Sequence, residues 1–267
     1  MTQDRESIED GPAHETARDH VGSFARGLAV MEILAAHPAG LTLSEMAALA
    51  GLTRAGARRF LLTLTTSGYA VQDGRKFLLS PKLISVARTW LSGSSLWAFA
   101  EPHMRAVSQK LNESCSAAIL ADEDVVYVAR VAGRRIVSVG LHVGTRLPAY
   151  CTSMGRVLLS DLSPAELDAF LARATIRANT PKTVTDRTGI AALIRKAALD
   201  GYAAVDEELE IGLRSIAVPI RDRSGRIVAA VNVSTQSARF SVSGMEREIL
   251  PHLQEAAAAI EDYFVVQ

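Results

Sequence analysis

Apolar residues recur at helical spacing along the first part of the chain and are interrupted by turn-forming residues. The pattern over residues 23–40 predicts a helix that stops near Pro38. Thr42 and Glu45 have the Thr-x-x-Glu spacing of a capping box, which predicts the start of a short second helix. Gly51 is placed to close that helix, since a left-handed residue is favoured there.

A third helix is predicted to begin after Thr53, which is placed as its N-cap. Ala57 and Leu61 then fall on one apolar stripe of this helix. The segments Tyr69–Val71 and Lys76–Leu79 alternate like two short strands around an Asp-Gly turn. Three helices followed by a hairpin predict a winged helix-turn-helix over residues 21–80.

The remaining chain predicts a connecting helix over 81–93 and a second domain over 94–267. In that domain we expect helices over Trp97–Asn112, from Ser153, from the Ser163 capping box, over Asp186–Leu199 and over Ser243–Phe264. We expect strands at Ser116–Leu120, Val125–Val131, Ile136–Leu141, Ala203–Asp206, Ser215–Arg221 and Ile227–Thr235. Hairpin connections dominate this order, so the predicted fold class is α+β, with an antiparallel sheet flanked by helices. The connecting helix carries more apolar surface than a linker needs. It is predicted to pack on a second subunit, which implies a dimer, and the alternative is that it packs onto its own domain.

The formal net charge of zero hides a separation of charge along the chain. Residues 1–20 hold two basic and six acidic residues and are predicted to be a disordered acidic tail. Residues 21–92 hold eight basic and three acidic residues, whereas residues 93–267 hold nineteen and twenty. A basic block beside a neutral body is typical of a nucleic-acid-binding module.

The third helix of a winged helix-turn-helix places its first turns against base edges in the major groove. Arg54 and Arg58 are four residues apart and share a face, so each is predicted to bind a guanine through a two-pronged hydrogen bond. Arg59 points elsewhere and is predicted to contact phosphate or an acidic neighbour, and Arg75 and Lys76 of the wing are predicted to add phosphate contacts. The full set of predicted DNA contacts is Thr53, Arg54, Ala55, Arg58, Arg59, Arg75 and Lys76.

Composition narrows the remaining functional classes. The 267 residues are 48% hydrophobic, but no apolar run reaches the length of a membrane span and the acidic start does not resemble a secretion signal, so we expect a cytoplasmic protein without a membrane partner. Two cysteines and scattered histidines give no metal spacing, and no cofactor motif is present. An enzyme that uses Cys151 as a nucleophile activated by His142 stays open as an alternative.

Three segments carry a resemblance to a known family: SFARGLAVMEIL, GTRLPAYCTSMGRVLLS and GYAAVDEELEIGLRSIAVPI. From about Val21 onward the chain resembles the IclR family of bacterial transcription regulators. TRAGARRFLLTL, LPAYCTSMGRVLL and TPKTVTD are most similar to the regulators of protocatechuate, 4-hydroxybenzoate and β-ketoadipate catabolism. The resemblance implies a GAF/PAS-like effector domain after the linker helix, and assembly as a dimer or tetramer.

The resemblance also implies the residues of an effector site. They are Ser153, Met154, Gly155, Asp206, Ser215, Asn232 and Ser234. The strand pattern agrees, since Asn232 and Ser234 are two apart and share one face of an otherwise apolar strand. Backbone N–H groups at the helix start after Thr152 can bind a carboxylate, while Asp206 is predicted to accept a hydrogen bond from a ring hydroxyl.

These expectations predict a repressor or activator that binds a pseudo-palindromic DNA operator and a small organic acid. A hydroxylated aromatic acid is favoured over glyoxylate or pyruvate because it satisfies both ends of the predicted site. A further alternative is a DNA-binding protein whose second domain serves oligomerisation alone. A cavity with polar groups from Asp206, Ser215 and Asn232 favours an effector domain over that alternative.

Overall fold

The computed structural model describes residues 21–86, 95–133 and 141–266. The chain divides into two compact units between residues 90 and 91. The predicted acidic tail lies outside the described residues, as does the predicted linker helix beyond residue 86, although residues 82–86 are helical. Among the described residues, no helix is long and apolar enough to cross a membrane.

The first unit is the predicted winged helix-turn-helix. Its elements are α1 (Gly22–Ala35), β1 (Leu41–Thr42), α2 (Leu43–Leu49), α3 (Arg54–Thr66), β2 (Ala70–Asp73) and β3 (Lys76–Leu79). The strands form an antiparallel sheet in the order β1-β3-β2. Asp73 pairs with Lys76, so the wing turns over the two residues between them, and Gly74 there has a φ of 56°.

Local signals in the sequence account for these boundaries. The Thr42 side chain accepts from Glu45 N, and the Glu45 carboxylate accepts from Thr42 N at 2.7 Å, which completes the predicted capping box. Gly51 has a φ of 61°, so it can end α2 without strain. The hydrophobic core of the first unit contains five fully buried side chains: Val30, Leu34, Met46, Ala57 and Leu61.

The second unit is built around a six-stranded antiparallel sheet in the order β6-β5-β4-β9-β8-β7. The strands are β4 (Ser114–Ala121), β5 (Asp124–Val131), β6 (Arg146–Pro148), β7 (Ala203–Asp206), β8 (Leu213–Arg221) and β9 (Ile227–Gln236). The helices are α4 (Ser95–Leu111), α5 (Ser153–Leu159), α6 (Pro164–Arg173), α7 (Arg187–Asp200), α8 (Val242–Glu248) and α9 (Leu250–Val266). One core cluster joins the sheet to α5, α6 and α7, and the other joins it to α4, α8 and α9. The predicted α+β class and antiparallel sheet are therefore confirmed.

One predicted element differs from the structure, and another falls on residues that the structure does not describe. The strand predicted at Ile136–Leu141 lies outside the described residues except for Leu141, which is not in a strand, and β6, which was not predicted, pairs with β5. The single closing helix predicted from Ser243 is instead two helices that meet at Ile249. Pro251 accounts for the break, because proline donates no backbone hydrogen bond to the preceding turn and is tolerated in the first turn of a new helix.

A buried ion pair ties α5 to the loop between β7 and β8. Arg156 Nη2 donates to Glu208 Oε2 at 2.7 Å, and the two side chains are 3% and 8% exposed. Glu208 Oε2 also accepts from Val184 N at 3.2 Å, while Arg156 Nε donates to Tyr150 O at 3.2 Å. Both charges are thus desolvated and hydrogen-bonded, so removal of one partner leaves the other charge buried and uncompensated.

We expect Glu208→Gln to lower the free energy of unfolding by about 3–5 kcal/mol, since Arg156 keeps a buried charge without its counterion. Glu101→Gln is the control, because its ion pair with Arg105 leaves both side chains about half exposed, at 55% and 54%, and its loss costs below about 1 kcal/mol. Urea unfolding followed by circular dichroism measures both. Equal stability of the two variants would show that the buried pair contributes nothing specific.

Candidate functional site

The first turn of α3 presents arginines on an exposed helix face. Thr53 caps the helix by accepting from Gly56 N at 3.1 Å, as predicted. Arg54 and Arg58 follow on one exposed face, opposite the buried Ala57 and Leu61. The cap therefore fixes the start of the helix, and the helical repeat then aligns the two guanidinium groups.

A groove between α2, α3 and the wing brings three of the predicted arginines together. Its lining consists of Thr42, Leu43, Ser44, Arg54, Arg58, Leu62, Gln72, Gly74, Arg75 and Phe77. Within the described part of the chain, Arg54, Arg58 and Arg75 form no ion pair with a carboxylate. The groove consequently presents three arginines to a polyanion.

The other predicted DNA contacts lie outside this lining. Ala55 and Arg59 are exposed on α3 beside the groove. Lys76 Nζ donates to Ala39 O at 3.2 Å, so the Lys76 ammonium is directed to the backbone after α1. The groove adds Ser44 and Gln72, which the charge pattern did not single out because both side chains are neutral.

The second unit contains a narrow, partly open cavity of about 30 Å³ between the sheet and the start of α5. It is lined by Tyr127, Leu141, Leu147, Cys151, Thr152, Ser153, Met154, Val205, Leu209, Leu213, Ser215, Asn232 and Ser234. Five of the seven predicted effector residues are among them, namely Ser153, Met154, Ser215, Asn232 and Ser234. Residues from α5, β8 and β9 are thus assembled around one space.

Two buried polar atoms in this lining have no hydrogen-bond partner among the described residues: Ser153 Oγ and Asn232 Oδ1. The amide of Asn232 is used on its other side, where Nδ2 donates to Ser234 Oγ at 3.3 Å. Buried polar groups are paired in nearly all native structures, because an unpaired one costs about 1–3 kcal/mol. Two such atoms on one cavity can pair with a bound water molecule or with a ligand.

Gly155 and Asp206 do not line the cavity. A Cβ at position 155 would lie 2.0 Å from Ala149 O, so glycine is needed there for close packing of α5. The Asp206 carboxylate is already held by Arg214 Nε and by Lys182 Nζ. The hydrogen bond from Arg214 is the largest cause that lowers the pKa of Asp206 below its usual value; burial opposes this shift, and the bond from Lys182 adds to it. The acceptor role predicted for Asp206 is therefore taken up by these cations.

Tyr127, Cys151 and Thr152 line the cavity and were not predicted to bind a ligand. Burial raises the pKa of Tyr127 to about 12, so its hydroxyl stays protonated and can donate. The signal for Tyr127 was present in the sequence, because it alternates with the buried Val125 on β5 and so faces the same side of the sheet. Thr152 caps α5 by accepting from Gly155 N at 3.2 Å, which occupies one of the predicted backbone donors.

The enzyme alternative lacks an activated thiol. Burial raises the pKa of Cys151 to about 11, whereas a nucleophilic cysteine requires a lowered pKa. The Cys151 thiol contacts Asn179 Nδ2 at 3.4 Å. His142 Nδ1 lies 3.0 Å from Val143 O and 3.3 Å from Thr145 Oγ1, so its ring is engaged elsewhere. The geometry therefore gives no support to a Cys151–His142 pair.

Comparison with known proteins gives matches over both units. Residues 23–74 match the IclR helix-turn-helix domain, and residues 88–262 match the family described as bacterial transcriptional regulator IclR C-terminal. The Pca regulon regulatory protein of Pseudomonas putida is 42% identical over 240 residues, which cover 90% of this chain and 82% of that protein. The p-hydroxybenzoate hydroxylase transcriptional activator of Acinetobacter baylyi is 30% identical, with 90% of each chain covered.

A solved structure extends the comparison to a bound ligand. An IclR homologue from Microbacterium hydrocarbonoxydans, solved in complex with 4-hydroxybenzoate, has a TM-score of 0.80 to this chain and 28% sequence identity. The match covers 92% of this chain and all of the homologue.

We expect Gly155→Ala to destabilise the second unit by about 1–3 kcal/mol or more, because the added methyl group collides with backbone atoms at Ala149 that cannot move aside cheaply. Gly244→Ala is the matched control. It occupies the same third position after a hydroxyl N-cap, and its Cβ would lie 3.1 Å from the Ser241 side chain. Thermal unfolding that gave both variants the same midpoint would contradict this account of α5 packing.

Proposed function

The chain belongs to the IclR family and is a DNA-binding transcriptional regulator, and we propose that it controls aromatic-acid catabolism genes in response to a hydroxylated aromatic acid. The regulated genes are proposed from the named functions of the Pseudomonas and Acinetobacter relatives. We propose that the protein acts in the cytoplasm, because its proposed partner is bacterial DNA.

The observation that carries the effector proposal is the pair of unpartnered atoms in the cavity, Ser153 Oγ and Asn232 Oδ1. A domain that serves oligomerisation alone would have no reason to retain buried unpaired polar atoms around one space, since an apolar filling would be more stable. The cavity thus favours ligand binding over that alternative.

The chemistry of the lining favours an acid with a ring hydroxyl. A carboxylate accepts hydrogen bonds, and the hydroxyls of Tyr127 and Ser234 can donate them. A ring hydroxyl donates, and Asn232 Oδ1 and Ser153 Oγ are unsatisfied acceptors. The apolar remainder of the lining suits an aromatic ring. The 4-hydroxybenzoate bound to the Microbacterium homologue supports this class of ligand.

Ligand entry has to enlarge the cavity. Its volume of about 30 Å³ suits a water molecule, whereas a cavity that accepts benzene has about 150 Å³. Met154 is the most adaptable side chain in the lining and lies in the first turn of α5. We propose that binding moves Met154 and α5 together, because every residue of α5 is buried and packed.

For DNA, we propose that α3 enters the major groove with Arg54 and Arg58 at base edges, and that Arg75 contacts phosphate from the wing. The charge and concavity of the groove support this arrangement. We also propose a homodimer, or a tetramer of dimers, with the predicted linker helix over 81–93 at a subunit contact. Two-fold symmetry then requires a pseudo-palindromic operator.

Arg54→Ala or Arg58→Ala is expected to cost about 1–3 kcal/mol of operator affinity and to relax specificity at the base that each arginine binds. Arg75→Ala is expected to weaken binding to all sequences and to reduce the salt slope by about one. Titrations with operator and random DNA at several salt concentrations separate the two classes. Arg26→Ala is the control, as Arg26 is an exposed α1 residue outside the groove lining. If all three groove variants weakened operator and random DNA equally, base recognition by α3 would be wrong.

The double variant Asn232→Ala/Ser234→Ala is expected to lose aromatic-acid binding and to keep operator binding without ligand. Binding raises unfolding free energy by RT ln(1 + [L]/Kd), about 2.7 kcal/mol at a hundredfold excess over Kd. Thermal shift and calorimetry with 4-hydroxybenzoate, protocatechuate and β-ketoadipate therefore identify the acid and test the site. Gln236→Ala, on the exposed end of β9, is the matched control. Unchanged affinity of the double variant for the acid that stabilises the wild type would place the effector site elsewhere.

A further inference from the structure

Arg130 lies on β5, on the same face of the sheet as Asn232 and Ser234 and two strands away from them. It is directly opposite Ser116 in the β4–β5 ladder, and Ser116 is directly opposite Asn232 in the β4–β9 ladder. Residues directly opposite in an antiparallel pair project from the same face. Ser114 and Ser234 form the next such pair along the same two strands. A polar row therefore crosses the sheet from Arg130 to the cavity.

The guanidinium of Arg130 reaches over β4 toward this row. Nη1 donates to Ser116 Oγ at 3.3 Å and Nη2 donates to Ser114 Oγ at 3.4 Å. Neighbouring strands are about 4.8 Å apart, so the guanidinium lies about one strand spacing from Asn232 and Ser234. Arg130 also acts electrostatically on Tyr127, since its charge partly offsets the effect of burial on the tyrosine pKa.

The contacts of Arg130 are weak for a partly buried cation. Charge-assisted N–H···O bonds are usually about 2.7–2.9 Å long, whereas both of these are longer and end on neutral hydroxyls. Arg156, Arg214 and Arg239 each bind a carboxylate. By contrast, within residues 21–86, 95–133 and 141–266 no carboxylate lies within 4.0 Å of Arg130.

The nearby buried carboxylate of Glu113 is committed elsewhere. It accepts from Thr235 Oγ1 at 2.9 Å and pairs with Arg239. Thr235 is adjacent to Ser234 on β9 and so projects from the opposite face of the sheet. The cavity side of the sheet therefore holds a cation without an anion, beside a cavity whose polar lining residues are all neutral.

We propose that Arg130 binds the carboxylate of the effector, with its two-pronged guanidinium replacing the two long serine contacts. This inference rests on the proposed function and adds an orientation to it. The carboxylate lies over β4 beside Ser234, and the ring extends toward α5, where Ser153 Oγ accepts from the ring hydroxyl. Arg130 thus determines specificity for an acid over a neutral ligand of the same shape.

The test is isothermal calorimetry with 4-hydroxybenzoate and its neutral isostere 4-hydroxybenzamide on the full chain. The wild type is expected to bind the acid about tenfold to a hundredfold more tightly than the amide, because a charged hydrogen-bonded pair is lost with the amide. Arg130→Gln is expected to abolish this preference. Arg130→Lys keeps the charge without the planar fork and is expected to retain part of it. Arg195→Gln, an exposed arginine of α7, is the control and is expected to keep the full preference.

The ratio of the affinities for 4-hydroxybenzoate and 4-hydroxybenzamide changes when a contact to the carboxylate is lost. A general loss of stability weakens the binding of both compounds and leaves the ratio unchanged. If Arg130→Gln keeps the full preference for the acid, the role of Arg130 is wrong and the proposed function stands. Should the glutamine variant not fold, an unchanged preference in Arg130→Lys leads to the same conclusion. Equal wild-type affinity for acid and amide would also overturn it. A wild type that binds no aromatic acid would instead overturn the proposed function itself.

Discussion

The burial of α5 is the constraint on which the second unit depends. All seven residues of this helix are buried, which requires glycine at position 155 against Ala149 and a counterion for Arg156. Glu208 supplies that charge from the loop between β7 and β8, which also contributes Leu209 to the cavity wall. The same contacts that stabilise the helix therefore set the position of its first turn, where Ser153 and Met154 meet the cavity.

The cavity differs from the rest of the domain in the hydrogen bonding of its buried polar side chains. Among the described residues, the three buried side-chain atoms without a partner are Glu113 Oε2, Ser153 Oγ and Asn232 Oδ1. The last two face one space, and Glu113 retains partners at its other oxygen. Unpaired polar atoms cost folding free energy in the absence of ligand, and a ligand that pairs with them recovers it. The cost in folding stability therefore falls at the proposed effector site.

Local sequence signals predicted the elements whose causes are local. The capping boxes at Thr42 and Ser163 each involve residues three apart, so their effect could be inferred without the fold. The break between α8 and α9 at Ile249 also has a local cause, Pro251. It was not predicted, because the apolar pattern continues at helical spacing on both sides of the break. The environment of Asp206 could not be predicted, because Arg214 faces it through strand register and Lys182 is 24 residues away. The placement of Arg130 beside Asn232 could not be predicted for the same reason, since β4 lies between their two strands.

The polar groups of the α3 groove are exposed, whereas those of the cavity are buried, and this difference bears on regulation. The arginines of the α3 groove are exposed, so the DNA contacts proposed for them require no prior rearrangement of the protein. The cavity groups border a space too small for a ring, so the proposed ligand can form hydrogen bonds with them after the packing around α5 changes. A ligand shifts a conformational equilibrium by its difference in affinity for the two states. Because the narrow cavity excludes the ring, nearly all of the binding free energy of the proposed ligand is such a difference, and binding at this site is therefore suited to a switch.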